Sequence, residues 1–293
     1  MTAARRVVVL DFDGTMTDAE AEGAPFFDGY VADLATLTGG AAAAVRARAE
    51  ALRDAMFANP TAYAAEMGRP PEKVAPAVVD PYLRMTPIAR QLYDEHGVLL
   101  DAGDRDRVGT LLYNRHYLTT VEHPVFRKGA GELLRALGRR ADLDVWVVTN
   151  SGTDHVASKI DRLDALEGGV AWLRPRVRGF AGKFKIDRAW PEAPADLTLP
   201  GLARPILRQR HHYHGILAGL CGGDFSRVTV IGDIFELDLS LPEAMGARVG
   251  LVKGPYTPAY ELAYLRERGP CAAIFDELDA VMDFIDLPTD AAA

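Results

Sequence analysis

The sequence predicts an α/β fold: a doubly wound parallel sheet covered by helices on both faces, with a second, all-helical domain inserted near its start. Three observations carry this expectation. Residues 7–10, VVVL, form a short apolar run that stops at Asp11, which fits a strand buried on both faces. From about residue 124 onward, short apolar runs alternate with amphipathic helical patterns, as they do in a parallel sheet with crossover helices. Residues 19–123 contain helical periodicity but no convincing buried strand. The expected division is therefore 1–18 with 124–293 as the core, and 19–123 as the helical domain.

Taken in order, each element has a local reason. Phe26, Phe27, Tyr30, Leu34 and Leu37 recur at three- and four-residue steps and end at Gly39-Gly40, which predicts a helix. Residues 41–57 are alanine-rich, with Val45, Ala49, Leu52 and Met56 on one face; Asn59-Pro60 stops them. A short helix is expected over 63–67, before Pro70-Pro71 breaks the chain. Residues 83–93 and 108–118 read as two more helices, joined by a loop over 97–103. In the core, 131–140, 153–166, 202–220, 236–245, 258–268 and 276–285 read as helices. Residues 144–149, 177–180, 227–231, 247–252 and 271–275 read as strands. Pro191, Pro194 and Pro200 mark 189–200 as a surface excursion, and the tail 288–293 is expected to fray. No internal repeat is evident.

Composition limits the class. The 293 residues are 48% hydrophobic and 25% charged, which is ordinary for a globular chain. A net charge of −8 leaves no basic excess to neutralise a nucleic-acid backbone, so no nucleic-acid partner is expected. Arginines cluster at 174, 176 and 178, and at 204, 208 and 210; solvated faces are the default reading of both. Two cysteines, Cys221 and Cys271, make no disulfide framework and suit a reducing compartment. Four apolar residues after Arg5-Arg6 are too few for a signal-peptide core, and no run approaches the ~20 residues of a membrane helix. A cytoplasmic protein with no membrane partner is expected.

The chemistry centres on residues 7–18, VVVLDFDGTMTD. Asp11 and Asp13 fall just past the carboxyl end of the first strand, where open α/β sheets bind ligands. Two carboxylates so close in a partly desolvated cleft call for a cation or a proton. DFDGT resembles the first motif, DxDGT, of the haloacid dehalogenase-like (HAD) superfamily. Three further stretches fit the rest of that family's set: VVTNS at 147–151, an apolar strand ending in Thr; Lys183 in GFAGKFKID, a lone lysine; and VIGDIFELD at 230–238, the GDxxxxD pattern. The four stand in the family's order, and three of them end a strand.

The resemblance implies a Rossmann-like core and a mobile cap formed by the helical domain. It implies a magnesium-dependent phosphatase acting on a small phosphorylated metabolite through an aspartyl-phosphate. Asp11 would be the nucleophile, and Asp13 the acid for the leaving oxygen and then the base for water. Magnesium would be held by the side chains of Asp11 and Asp233 and the backbone carbonyl of Asp13. Asp238 would hold the metal's waters or the lysine, unless it only complements a helix N-terminus. Thr149, Asn150 and Lys183 would bind phosphate. Lys183 is favoured over Lys185, which would face the opposite side of an extended segment, and over Lys159 on the preceding helix. The acid at Asp13 favours a phosphatase or phosphomutase over a dehalogenase. A phosphomutase and a non-catalytic member that binds a phosphorylated ligand stand as alternatives.

Other features carry less. His211, His212 and His214 lack a carboxylate or cysteine at a matching offset, so a helix-surface cluster is expected instead of a zinc site. Tyr113, Arg115 and His116 could reach a substrate from the helical domain, but exposed helix residues of this kind are more often solvated. The substrate itself is not legible.

Overall fold

The computed structural model describes residues 5–59, 75–76 and 78–287. The helix expected over 63–67, the break at Pro70-Pro71 and the tail from 288 lie outside them. The chain divides into two compact units, residues 1–18 with 126–293, and residues 19–125.

The first unit is built on a six-stranded sheet in the order β3-β2-β1-β4-β5-β6. Its strands are β1 (Arg6–Leu10), β2 (Leu143–Val148), β3 (Val177–Arg178), β4 (Val228–Gly232), β5 (Arg248–Val252) and β6 (Ala272–Phe275), and every pairing is parallel. Register follows the apolar pattern. Leu10 stands beside Val147 on one side and Ile231 on the other. These residues share one face with Val8 and Val145. That face packs on α5 (Ala130–Gly138), α6 (Thr153–Glu167) and α10 (Val281–Asp286) through Leu133, Leu134, Leu137, Val156, Ile160, Leu163, Val281 and Phe284. The alternate residues Val7, Val9, Val230, Val249 and Leu251 are equally buried and point to the other face. Both faces are therefore covered, as the uniformly apolar strands require.

This unit also holds α7 (His211–Cys221), α8 (Ser240–Ala244) and α9 (Ala259–Arg266), with a π-turn over Phe235–Leu239 that runs into α8. The order reverses at β1, which has β2 on one side and β4 on the other. A crevice at the carboxyl ends of the strands opens at such a point.

Two expectations for this unit need correction. The helix expected over 202–220 begins only at His211. Leu197 and Ile206 exchange antiparallel backbone hydrogen bonds, and Gln209 accepts the Asp187 amide, so residues 202–210 spend their backbone groups elsewhere. The 189–200 excursion is not wholly superficial, because Trp190 and Leu199 are buried.

The second unit holds α1 (Ala19–Thr38), α2 (Ala42–Ala58), α3 (Pro81–His96) and α4 (Ala102–Glu122). Asp80 caps α3 by accepting from the amides of Tyr82 and Leu83, and Pro81 occupies its first turn. Asp101 caps α4 in the same way through Gly103 and Asp104. The interior is aromatic: Phe26 meets Tyr82 edge-on at 5.1 Å and Tyr113 at 5.6 Å. Buried Glu22 accepts from the Tyr82 hydroxyl and the Val125 amide. Tyr113 thus packs inward, while Arg115 and His116 both pair with Asp33. No described helix is long and apolar enough to cross a membrane.

Candidate active site

Four loops at the carboxyl ends of the strands supply the site. After β1 the chain presents Asp11 and Asp13. The Asp11 amide donates to the Ile231 carbonyl at 2.8 Å, tying the β1 exit to β4. Asp233 follows β4, and Asp238 follows in the π-turn. Their carboxylates and that of Asp11 offer oxygens that lie within 4.8 Å of one another. This is the one such group of three or more ligand-type residues among the described residues, so the histidines of α7 form no metal cluster there.

Gly14 makes the arrangement possible. It has φ +88°, and a Cβ there would stand 2.2 Å from Asp233 Oδ2. The Thr15 hydroxyl donates to Asp11 Oδ2 at 3.3 Å and Asp233 Oδ1 at 3.1 Å, bridging the two acids.

Lys183 is buried with its ammonium between Asp11 Oδ1 and Asp238 Oδ1, 2.7 Å from each. The second oxygen of Asp238 accepts from the Ile234 amide at 3.0 Å, so this residue both closes its own turn and orients the lysine. Burial pushes the Asp11 carboxyl up to about 7, against the pull of Lys183; Asp238 and Asp13 push in the same direction as burial. Burial alone would lower Lys183, but the Asp11 and Asp238 carboxylates outweigh it and raise it well above the usual lysine range.

Asp13 faces elsewhere. Its Oδ1 lies 2.6 Å from Lys159 Nζ, and its Oδ2 accepts from the Ser151 hydroxyl at 2.5 Å. Lys159 is fully buried on α6. Neither a phosphate ligand nor a surface charge, it is the partner of Asp13. Lys185 is exposed. Thr149 is buried at the end of β2, where its hydroxyl accepts from the Ser151 amide at 3.1 Å. The Asn150 side chain accepts from the Lys183 amide at 2.7 Å, joining the β2 and β3 loops.

Behind the lysine lies an ion network that the sequence reading did not anticipate. Arg210 is wholly buried; it donates to the carbonyls of Lys183 and Leu207 and pairs with Glu236 at 3.1 Å. Arg204 also pairs with Glu236, and Arg208 with Glu243. The expected solvated face at 204, 208 and 210 is thus largely an interior lattice. Its signal was the acids at Glu236 and Glu243, which sequence alone did not bring close. Burial holds Glu261, on α9 near this network, well above the carboxylate range. The histidines of α7 form an aromatic clasp, with Trp190 stacked on His211 at 5.2 Å and His214 stacked on Phe225 at 5.5 Å.

The oxygen-only donor set of Asp11 and Asp233, with the crowded charge on Asp11 and the close approach that Gly14 allows, fits a hard divalent cation such as magnesium. The Asp13 carboxylate is engaged at Lys159 and Ser151.

No protein-family model and no curated protein matches the sequence. Solved structures do. The magnesium-bound YfnB of Bacillus subtilis superposes with a TM-score of 0.53 at 14% identity, over 97% of this chain and all of that one. A haloacid dehalogenase-like family hydrolase from Streptococcus pneumoniae gives the same figures. CbbY from Rhodobacter sphaeroides, in complex with phosphate, gives 0.51 at 14% identity over 97% of this chain and all of that one. At such identities the likeness establishes the fold: the chain has the HAD-like fold, a Rossmann-like α/β core with a helical cap-type insertion.

Proposed function

We propose that the protein is a magnesium-dependent phosphatase that hydrolyses a small phosphorylated metabolite through an aspartyl-phosphate. The observation that carries this reading is the meeting of Asp11, Asp233, Asp238 and Lys183 from three separate loops, with the lysine ammonium 2.7 Å from two of the acids. The fold shared with a magnesium-bound and a phosphate-bound protein supports it.

Asp11 attacks phosphorus, forming a carboxylate–phosphorus bond as the bond to the leaving oxygen breaks. Asp13 takes up a proton as it leaves Ser151 and Lys159, gives that proton to the leaving oxygen, and then takes one from the water that hydrolyses the aspartyl-phosphate. Lys183 holds a phosphate oxygen as a point charge, and the Thr149 hydroxyl and the loop at Asn150 take the others. Asp11, Asp233 and the Asp13 carbonyl would hold magnesium, which when bound would screen carboxylate from phosphate. The helical unit, residues 19–125, serves as the cap that excludes water. The reducing compartment that two free cysteines suit makes the cytoplasm the proposed location.

Phosphate release from a panel of sugar, nucleotide and amino-acid phosphates tests this. Asp11→Asn and a chelator should each lower kcat/KM by roughly a thousandfold or more. Full activity in either case overturns the reading.

A further inference from the structure

The loop that delivers Lys183 carries a second unusual residue. Phe180 has φ +55°, the left-handed region that a large side chain seldom occupies, and the residue is 71% exposed. The conformation is imposed from both sides. The Phe180 amide donates to the Ser151 carbonyl at 2.8 Å, and its carbonyl accepts from His212 Nε2 at 3.3 Å. The Ala181 amide donates to the Thr149 carbonyl at 2.9 Å. Gly179 lies so close to the other loop that a Cβ there would stand 2.3 Å from the Thr153 amide. These contacts join 179–183 to 149–153 and lay the ring over Gly152, where an added methyl would meet Cζ at 3.2 Å. Ser151, next in the chain, is the residue whose hydroxyl holds Asp13. An exposed ring on strained backbone, one residue from the support of the leaving-group acid, is poised for a ligand instead of the core.

We propose that Phe180 sets specificity by stacking on the leaving group, so that the protein prefers phosphomonoesters whose alcohol carries a flat unsaturated ring close to the ester oxygen. The position of that leaving group rests on the phosphatase reading above. The Phe180 amide is bonded to Ser151 and its ring lies over Gly152, while the Ser151 hydroxyl holds Asp13, so an alcohol leaving toward Asp13 would depart beside this loop. Stacking of this kind tolerates many rings, because every unsaturated ring has a π face.

The test compares benzyl phosphate with ethyl phosphate, with magnesium present. Wild type should show kcat/KM about tenfold higher for benzyl phosphate. Phe180→Ala and Phe180→Gly should lose most of that preference, and Phe180→Trp should keep it. Phe180→Gly should also raise Tm, since glycine accepts the left-handed backbone without strain. Binding of benzylphosphonate and ethylphosphonate, followed by calorimetry, reads the same preference without turnover. If neither ester is hydrolysed but the phosphonates show the preference and its loss, the phosphatase reading fails while the role of Phe180 stands. Equal losses on both ligands in Phe180→Ala, or no preference in wild type, overturn the proposal.

Discussion

Asp11 is asked to be an anion in a place that resists one. Its carboxyl is raised from 3.8 to about 7, chiefly by burial. In chelator, the folded protein therefore keeps a proton here that the unfolded chain has already released near 4. Stability from this group is fully present below the unfolded value and is lost as pH rises through about 7. A divalent cation bound as proposed would take the place of that proton. The gain in Tm on adding magnesium should thus be several degrees larger at pH 8 than at pH 5, on a scale of about 2–4 °C per kcal/mol for a domain of this size. Equal gains at the two pH values would separate the cation from Asp11. Gly14 offers an independent check. In Gly14→Ala the new methyl would both press on Asp233 and occupy a left-handed backbone. Magnesium affinity by calorimetry should fall at least tenfold, with a stability loss of about 1–2 kcal/mol. Wild-type affinity in this variant would count against Asp233 as a ligand.

At the scale of elements, the site hangs on pairs that lock one segment to another. Lys159 on α6 meets Asp13 after β1, and Arg210 before α7 meets Glu236 in the π-turn. Removing one member of such a buried pair strands the other charge. Arg210→Met should cost about 3–5 kcal/mol in urea unfolding, and Arg210→Met with Glu236→Leu less than the sum of the two single changes. Strict additivity would mean the pair is not coupled. These pairs also explain which parts of the molecule the sequence made legible. The central strands were readable because they are short apolar runs with a sharp polar end, as at Leu10-Asp11 and Gly232-Asp233; β3, only Val177–Arg178, carries no such run. Their order in the sheet was not, since register depends on contacts between remote runs. Lys183 stood out by its place after the GFAG turn. Lys159 did not, because a lysine within SKID on an amphipathic helix looks like a surface residue until the fold sets it against Asp13. Residues 202–210 misread as helix for a similar reason. Leu202, Ile206 and Arg210 have helical spacing, yet Ile206 pairs with Leu197 across the chain and Arg210 turns inward to Lys183.

At the scale of the whole molecule, the core residues that flank 19–125 stand next to each other. Thr17 and Phe126 form an antiparallel bridge, so the two ends of the insertion begin side by side. Arg127 reinforces them: its amide donates to the Met16 carbonyl at 3.0 Å, and its Nε to the Gly14 carbonyl at 2.8 Å. All of these groups belong to the core unit, and they brace the backbone that carries Asp11 and Asp13. The core's apolar cluster, built on β1, β2, α5, α6 and α10, includes no described residue from 19–125. The helical unit has its own interior around Phe26, Tyr82 and Tyr113. With the flanking residues already adjacent, removal of the insertion should be tolerated, since closing a short loop between adjacent ends costs little entropy. Replacing residues 19–125 with a four-residue Gly-Ser linker should leave a core that unfolds cooperatively and still gains Tm from magnesium, because Asp11, Asp233, Asp238 and Lys183 all remain. Its hydrolysis of phosphate esters should fall, because the group assigned to water exclusion has gone. A core that collapses without the helices would show that its stability depends on them. A core that keeps full activity would remove the helical unit from the chemistry.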